Sequence, residues 1–459
     1  MKPIIILFSA AAAMAIACCG SPKAKTQSPE VNLENLAPAL EYSTVTKEEM
    51  LDMLLDYLAI ESRSEYLKAG DTSYPITKGQ IKMAEKLKSD AEALGAETTM
   101  SEWYYVYVDV PSNIGKDVPV LGFSCHFDYS PEVSGFGIKP QVTTYLGGDI
   151  ILDDGSVISP DDPDGKDLPS LVGKTLIHTD GRTLLGGDDK NGCTILMSIL
   201  KTMLDPDVKH GRIQFVFCPN EDIGEAQREI DSSLFNPDIL FDVDGMGGKD
   251  ITASNFTARG LSMRFTGHPT HPAEAKALHM GDPLAAAAAY IAYVPLEYRP
   301  ERTEGEEGYI HHYQIDTLED SNNYCVTSRI RYFDKSEGEL FDEIINNSLK
   351  KVNEDFPYVK TQVISDEIQY DNVKYSMHPA SHEIITRAAE RAGIDIDFIS
   401  ERGGTTAAMF AAKSLRGGMC VFSGQHNCHS YHEFSCLEEM MDAYNLLLHV
   451  TDEVANMDQ

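Results

Sequence analysis

The chain has 459 residues, 42% of them hydrophobic, enough to bury a substantial core and, by domain size, to hold two or three domains. Its 38 basic against 72 acidic residues leave a formal charge of -34, which repels phosphate backbones and argues against nucleic acid as a partner. Nine scattered cysteines with no CxxC pair exclude a bridged small scaffold and a zinc ribbon, and most read as small buried apolar residues.

Lys2 is followed by an apolar run from Pro3 to Ala17, too short to span a bilayer and of the size of a signal-peptide core. Ala15-Ile16-Ala17-Cys18 resembles a bacterial lipobox, with Cys18 as the lipidated residue; an ordinary secretory signal cut near Gly20 is the alternative. Residues 1–17 are expected to be the signal and 18–45 a flexible tether rich in Ser, Pro, Lys and Asn. The expected location is outside the cytoplasm, facing the periplasm or cell surface, with a lipid anchor as the sole membrane contact.

The folded part opens at Thr46, with Glu49 three residues on in a capping-box pattern, ahead of Met50, Leu51, Leu54, Leu55 and Leu58 at helical spacing. A second helix is expected from about Lys78 to Leu94, with Ile81, Ala84, Leu87, Ala91 and Leu94 on one face and Gly95 as its stop. Three apolar, strand-like runs then each end in residues able to bind a metal. Pro119 to Ser124 leads to His126, Arg212 to Phe217 leads to Glu221 and Asp222, and Ile239 to Val243 leads to Asp244. Strands alternating with helices imply an α/β sheet, in which the carboxyl ends of the strands gather side chains into one crevice. The pattern changes near Ser254: Leu261, Met263 and Phe265 alternate, an Ala-rich helix follows Asp282-Pro283, a strand ends at Arg331, and Ser336 with Glu339 opens another helix. A separate α+β domain over 255–367 is therefore expected, inserted into an α/β domain formed by 46–254 and 368–459. A helix from about Ala380 to Ala392 stops at Gly393, and a long C-terminal helix follows Glu433.

The strand ends carry the chemistry. His126 and Asp128 in CHFDYSPE form an HxD pair on an extended segment, so Asp128 can receive the second ring N–H of a ligating histidine. Chance HxD pairs are common, and alone this one is a weak signal. In TDGRTLLGGDDKNG, residues 179–192, Asp188 lies between a glycine-rich turn and an amphipathic helix. Its carboxylate could bridge two ions or could, with Asp189, satisfy the helix start. Glu221 and Asp222 in CPNEDIG repel each other, so one can hold a cation while the other stays free as a base; a solvated turn is the alternative. Asp244 in DVDGMGG and His429 in CHSYHEF complete a set in the order His, Asp, Glu/Asp, Asp, His.

Taken together, HFDYSP, GRTLLGGDDKNG, PNEDIG, DVDG, THPAEAK, RGGT and HSYHEF, in that order and spacing, resemble the peptidase T branch of the di-zinc exopeptidase family, tripeptide aminopeptidases related to carboxypeptidase G. The resemblance runs from about Thr46 to the end of the chain. It implies a zinc-exopeptidase catalytic domain, a mixed sheet flanked by helices, with 255–367 as an inserted lid or dimerisation domain. It also implies two Zn2+ per subunit, one held by His126, Asp188 and Asp244 and the other by Asp188, Asp222 and His429, so that Asp188 is the bridge. Asp128 would orient His126, and Glu221 would be the general base. His271 in THPAEAK matches a family histidine that reaches an active site, often the partner protomer's, and stabilises the oxyanion. Arg331 and Arg402 match basic positions suited to a substrate carboxylate or carbonyl, a structural salt bridge being the alternative for Arg331. A short peptide is then the expected substrate and a homodimer through the inserted domain the expected assembly.

Three positions depart from that family's pattern. Asp222 stands where a second glutamate is usual, Thr406 replaces the aspartate of RGGTD, and Ala273-Glu274 replaces Gly-Thr after Pro272. Three alternative functions fit these residues: first an exported metallo-aminopeptidase acting on short peptides, expected to be tripeptides, then an amidase, deacylase or dipeptidase on the same scaffold, and last a catalytically weak peptide-binding lipoprotein. Retention of Glu221 and of the other expected ligands argues against the last.

Overall fold

The apolar runs of the sequence become neighbouring strands. In a computed structural model that describes residues 45–66, 74 and 76–457, Leu121–His126 lies between Ile213–Cys218 and Ile239–Met246, parallel to both. Gly418–His426 continues the parallel set beside Ile239–Met246. The expected signal, the tether as far as residue 44 and Cys18 lie outside the described residues. Antiparallel strands extend the sheet on one side through Val106–Val110 and Glu97–Met100, and on the other through Phe434–Cys436, Thr175–His178 and Gln141–Thr144. With Asp250–Asn255 and Asp397–Glu401 off this path, the sheet has eleven strands and is mixed.

Leu121–His126 and Ile213–Cys218 are buried along their whole length because both faces of the sheet are covered. Alternate side chains go to opposite faces. Phe215, Phe217, Phe241 and Val243 enter the larger core with Leu54, Met83, Ile195, Ile385 and Leu447. Those residues come from helices Lys47–Leu58, Lys78–Ala93, Gly187–Met203, Ser381–Ala392 and Leu437–Asn456. Val216, Cys218 and Leu240 instead meet Ala407, Ala408 and Phe410 of helix Thr406–Ala412.

The local start and stop signals act as the residue types require. Thr46 accepts the N–H of Glu49 and Glu49 accepts that of Thr46, closing the capping box, and Gly393 ends Ser381–Ala392 in a left-handed conformation at φ 67°. One start differs from expectation. The helix near Ser336 runs Lys335–Asp355 behind Asp334, and the acid that acts there is Glu337, which accepts the N–H groups of Gly308 and Phe333.

A second sheet orders Tyr309–Thr317, Asn323–Tyr332, Thr257–Thr266 and Lys360–Tyr370, all antiparallel. Helices Pro283–Tyr293 and Lys335–Asp355 pack on it, and Phe265, Tyr290, Ile330 and Phe341 form a hydrophobic cluster of their own. The chain passes between the sheets at two adjoining places, Asn255 to Thr257 and Tyr370 to Val373. There the buried Asn255 and Asn372 satisfy each other's strand ends. Asn255 N–H donates to Asn372 Oδ1 at 3.3 Å, Val373 N–H donates to Asn255 Oδ1 at 2.8 Å, and the Asn372 amide donates to Ser254 Oγ and Phe333 O. The seven cysteines among the described residues are free thiols, and no described helix is long and apolar enough to cross a membrane.

Candidate active site

The carboxyl ends of the four parallel strands, with the start of helix Gly187–Met203, bring the expected ligands into one space. His126 closes Leu121–His126, Glu221 and Asp222 follow Ile213–Cys218, Asp244 lies late in Ile239–Met246, and His429 follows Gly418–His426. His126 Nε2 is 2.9 Å from Asp188 Oδ1, 3.5 Å from Asp244 Oδ1 and 3.9 Å from Glu221 Oε2. Opposite, His429 Nε2 is 2.6 Å from Asp222 Oδ1 and 3.2 Å from Asp188 Oδ2. Asp188 therefore offers one oxygen to each histidine. Donor atoms of His126, Asp188 and Asp222, and again of His126, Glu221 and Asp244, lie within 4.8 Å of one another.

Most of these side chains, or the turns that carry them, are held from behind. Asp128 faces His126 Nδ1 at 3.4 Å and accepts the N–H groups of Glu221 at 3.0 Å and Asp222 at 3.2 Å, so one buried carboxylate fixes the neighbouring turn and lies beside the histidine ring. Gln80 grips the same turn, donating to Asn220 Oδ1 and accepting Asn220 N–H, while Asn220 takes a left-handed φ of 59°. The loop before Asp188 is held by Glu433, whose carboxylate accepts the N–H groups of Leu185, Gly186 and Asp188. Asp189 turns away from Asp188 and accepts the N–H groups of His126 and Gly192. Gln425 donates to Asp244 Oδ1 at 3.2 Å, and His429 itself sits at φ 62°, an uncommon conformation for a non-glycine residue. Glu433, Gln80 and Gln425 carried no expectation. Only Glu433 had a signal, its place in HSYHEF.

Four carboxylates crowded around two imidazoles shift one another. Burial, helped by the charges of Asp244, Asp128 and Asp188 and opposed by His126, pushes Glu221 up to about 7. Burial likewise raises Asp222 and Asp244. For Asp188 burial is outweighed by hydrogen bonds and charge from His126 and His429, which hold it well below the usual carboxylate range. His429 in turn is raised to about 11, chiefly by its hydrogen bonds to Asp188 and Asp222. Asp222 Oδ2, buried with no hydrogen-bond partner, is a further oxygen free to ligate. Imidazole and carboxylate donors, with one carboxylate shared, fit a pair of divalent cations, zinc among them.

The other expected residues lie outside this cluster. His271 is exposed and N-caps its own short turn, accepting the N–H of Ala273 on Nδ1 at 3.2 Å; no contact among the described residues joins it to the ligands. Arg331 lies in the second sheet and donates to Ile330 O; burial raises the phenol of the half-buried Tyr370, and the Arg331 charge opposes that rise. The Tyr370 ring explains Gly404, since a Cβ there would lie 2.6 Å from it. Arg402 is occupied by the fold. Three of its five N–H donors go to Gly305 O, Glu307 O and Thr303 Oγ1, and its guanidinium lies over Phe256 and Tyr309, at 5.0 and 5.7 Å from their ring centres.

Comparison with known proteins agrees with the fold and the motifs. Residues 177–453 match the sequence pattern of Peptidase family M20/M25/M40. The chain is 33% identical to Peptidase T of Escherichia fergusonii over 416 residues, 89% of this chain and 99% of that one, and equally to Peptidase T of Citrobacter koseri. Among solved structures it resembles aminopeptidase PepT from Bacillus cereus, with a TM-score of 0.67 and 17% identity over 90% of this chain and all of that one. It also resembles YXEP of Bacillus subtilis, described as a dinuclear metal binding peptidase from the M20 family, with a TM-score of 0.59 and 11% identity over 90% of this chain and all of that one.

Proposed function

The chain belongs to peptidase family M20/M25/M40, and on that footing we propose that it is a metallo-aminopeptidase that removes the N-terminal residue from tripeptides. The observation that carries the proposal is the position of Asp188 between His126 and His429, with Glu221 Oε2 facing the same space. Support for tripeptides as substrates comes from the Peptidase T relatives, which match over nearly their whole length.

We take the cofactor to be two zinc ions, one on His126, Asp188 and Asp244 and one on Asp188, Asp222 and His429. Asp222 is shorter than a glutamate, but its turn is drawn in by Asp128 and its Oδ1 reaches the His429 ring. Such a pair, when bound, polarises the scissile carbonyl and eases loss of a proton from an attacking water. The chain's own residues do the rest. Glu221 Oε2 takes the proton of the water as it attacks and delivers it to the nitrogen of the leaving amine. Asp128, facing Nδ1, would keep the His126 ring with Nε2 turned toward Asp188 and Asp244.

Glu221→Gln tests this reading. Two metals per chain should remain while kcat on a free-amine tripeptide falls by about 10²–10⁴. Full activity in the metal-loaded variant would overturn the assignment, and cleavage of N-acylated tripeptides in preference to free-amine ones would replace the aminopeptidase by an amidase.

A further inference from the structure

We infer that Thr406 is a positioning residue for Glu221, fixing which carboxylate oxygen faces the substrate side of the site. Thr406 Oγ1 lies 2.9 Å from Glu221 Oε1 and donates to it, while Glu221 Oε2 is the oxygen turned toward His126. The inference rests on the aminopeptidase reading given above.

Thr406 is well mounted for the task. It is 1% exposed and is the first residue of helix Thr406–Ala412, whose preceding Thr405 caps it by accepting the N–H of Ala408. The next residues, Ala407, Ala408 and Phe410, are buried against the sheet with Phe235 and Leu240, so the hydroxyl sits on a packed element rather than on a loop. A β-branched side chain has few rotamers, and a glutamate has three rotatable bonds to be restrained. The donor grips one oxygen and leaves the second free to exchange a proton. A carboxylate at 406, as in the RGGTD pattern, would meet Glu221 as a like charge; the hydroxyl meets it as a hydrogen-bond donor.

The test compares Thr406→Val, which keeps the shape and removes the donor, with Thr406→Ser, which keeps the donor. Kinetics on a free-amine tripeptide, metal content and crystal structures are measured for both and for the unaltered chain. Loss of a hydrogen bond to a charged group predicts a fall in kcat of about 10- to 100-fold for Thr406→Val. KM should stay within about twofold and metal content should not change, and Thr406→Ser should recover to within a few-fold. In crystals of Thr406→Val the Glu221 carboxylate should leave its present orientation. An unmoved carboxylate, an unchanged kcat, or a serine variant as impaired as the valine one would each overturn the inference. Inertness of the unaltered chain toward every tripeptide would instead count against the aminopeptidase reading, and the crystallographic comparison would still decide the role of Thr406.

Discussion

Asp128→Asn isolates how far the site depends on one buried carboxylate. Asp128 is fully buried and meets three groups: the N–H of Glu221, the N–H of Asp222 and the Nδ1 edge of His126. An ionised carboxylate can accept from all three, whereas an asparagine offers one oxygen and turns an NH2 toward a donor. At least one buried N–H is then left unpaired, which costs about 1–3 kcal/mol. The imidazole also loses its anionic partner, and changes of that kind typically lower metal affinity 10- to 100-fold, or about 1.4–2.8 kcal/mol. Two measurements separate the effects. Urea unfolding of chelator-treated protein reads the lost hydrogen bond, and competition for zinc against a chromophoric chelator reads the histidine. The expected result is a lower unfolding midpoint together with weakened zinc binding. Zinc affinity within twofold of the unaltered chain would refute the orienting role and leave Asp128 with the turn alone; an unchanged midpoint as well would refute both.

Two further predictions concern regions away from the ligands. His426 is buried, stacks on Phe434, and meets Glu439 Oε2 at 2.8 Å and Asp167 Oδ2 at 3.2 Å; burial lowers its proton affinity, but the two carboxylates outweigh this and raise it above 6.5. Glu439 is buried too, yet His426 and Lys174 hold it below 4.5. The histidine therefore stabilises the fold fully below 6.5 and loses that contribution as pH rises through its folded value, while Glu439 contributes above 4.5 and loses it as pH falls. His426→Gln should flatten the decline in unfolding midpoint above pH 6.5, and an alkaline limb of the original slope would refute the linkage. At the other end of the chain we propose export with a lipid on Cys18, argued from the sequence alone. Cys18→Ser should abolish incorporation of labelled palmitate, and label retained by the serine variant would sink the proposal.

Much of the ligand set was readable in the sequence because it is local in the right sense. Four of the proposed ligands, His126, Asp222, Asp244 and His429, lie in or after strands of the parallel set, and parallel strands necessarily present their carboxyl ends together; Asp188 comes instead from a helix start. Thr46 with Glu49 was readable for the same reason, since both halves of the cap lie within one turn. The Ser336 start failed because the acid near it answers to Gly308, twenty-nine residues earlier along the chain. Residues that act across the fold left little trace. Glu433 serves Leu185 from 248 positions away, and Gln80 serves Asn220 from 140. Gly192 shows how local rules mislead: by propensity a helix-interior glycine is worth about 1 kcal/mol less than alanine. A Cβ there would nevertheless lie 2.1 Å from Val243 O and 2.5 Å from the Asp189 carboxylate, so the bare backbone is what lets the helix approach the strand carrying Asp244. Thr406 makes the same point for chemistry. The sequence shows a carboxylate missing from RGGT, and whether that is a loss or an exchange depends on what faces position 406. What faces it is Glu221, 185 residues earlier, and to that carboxylate a hydroxyl is a donor where an aspartate would be a rival charge.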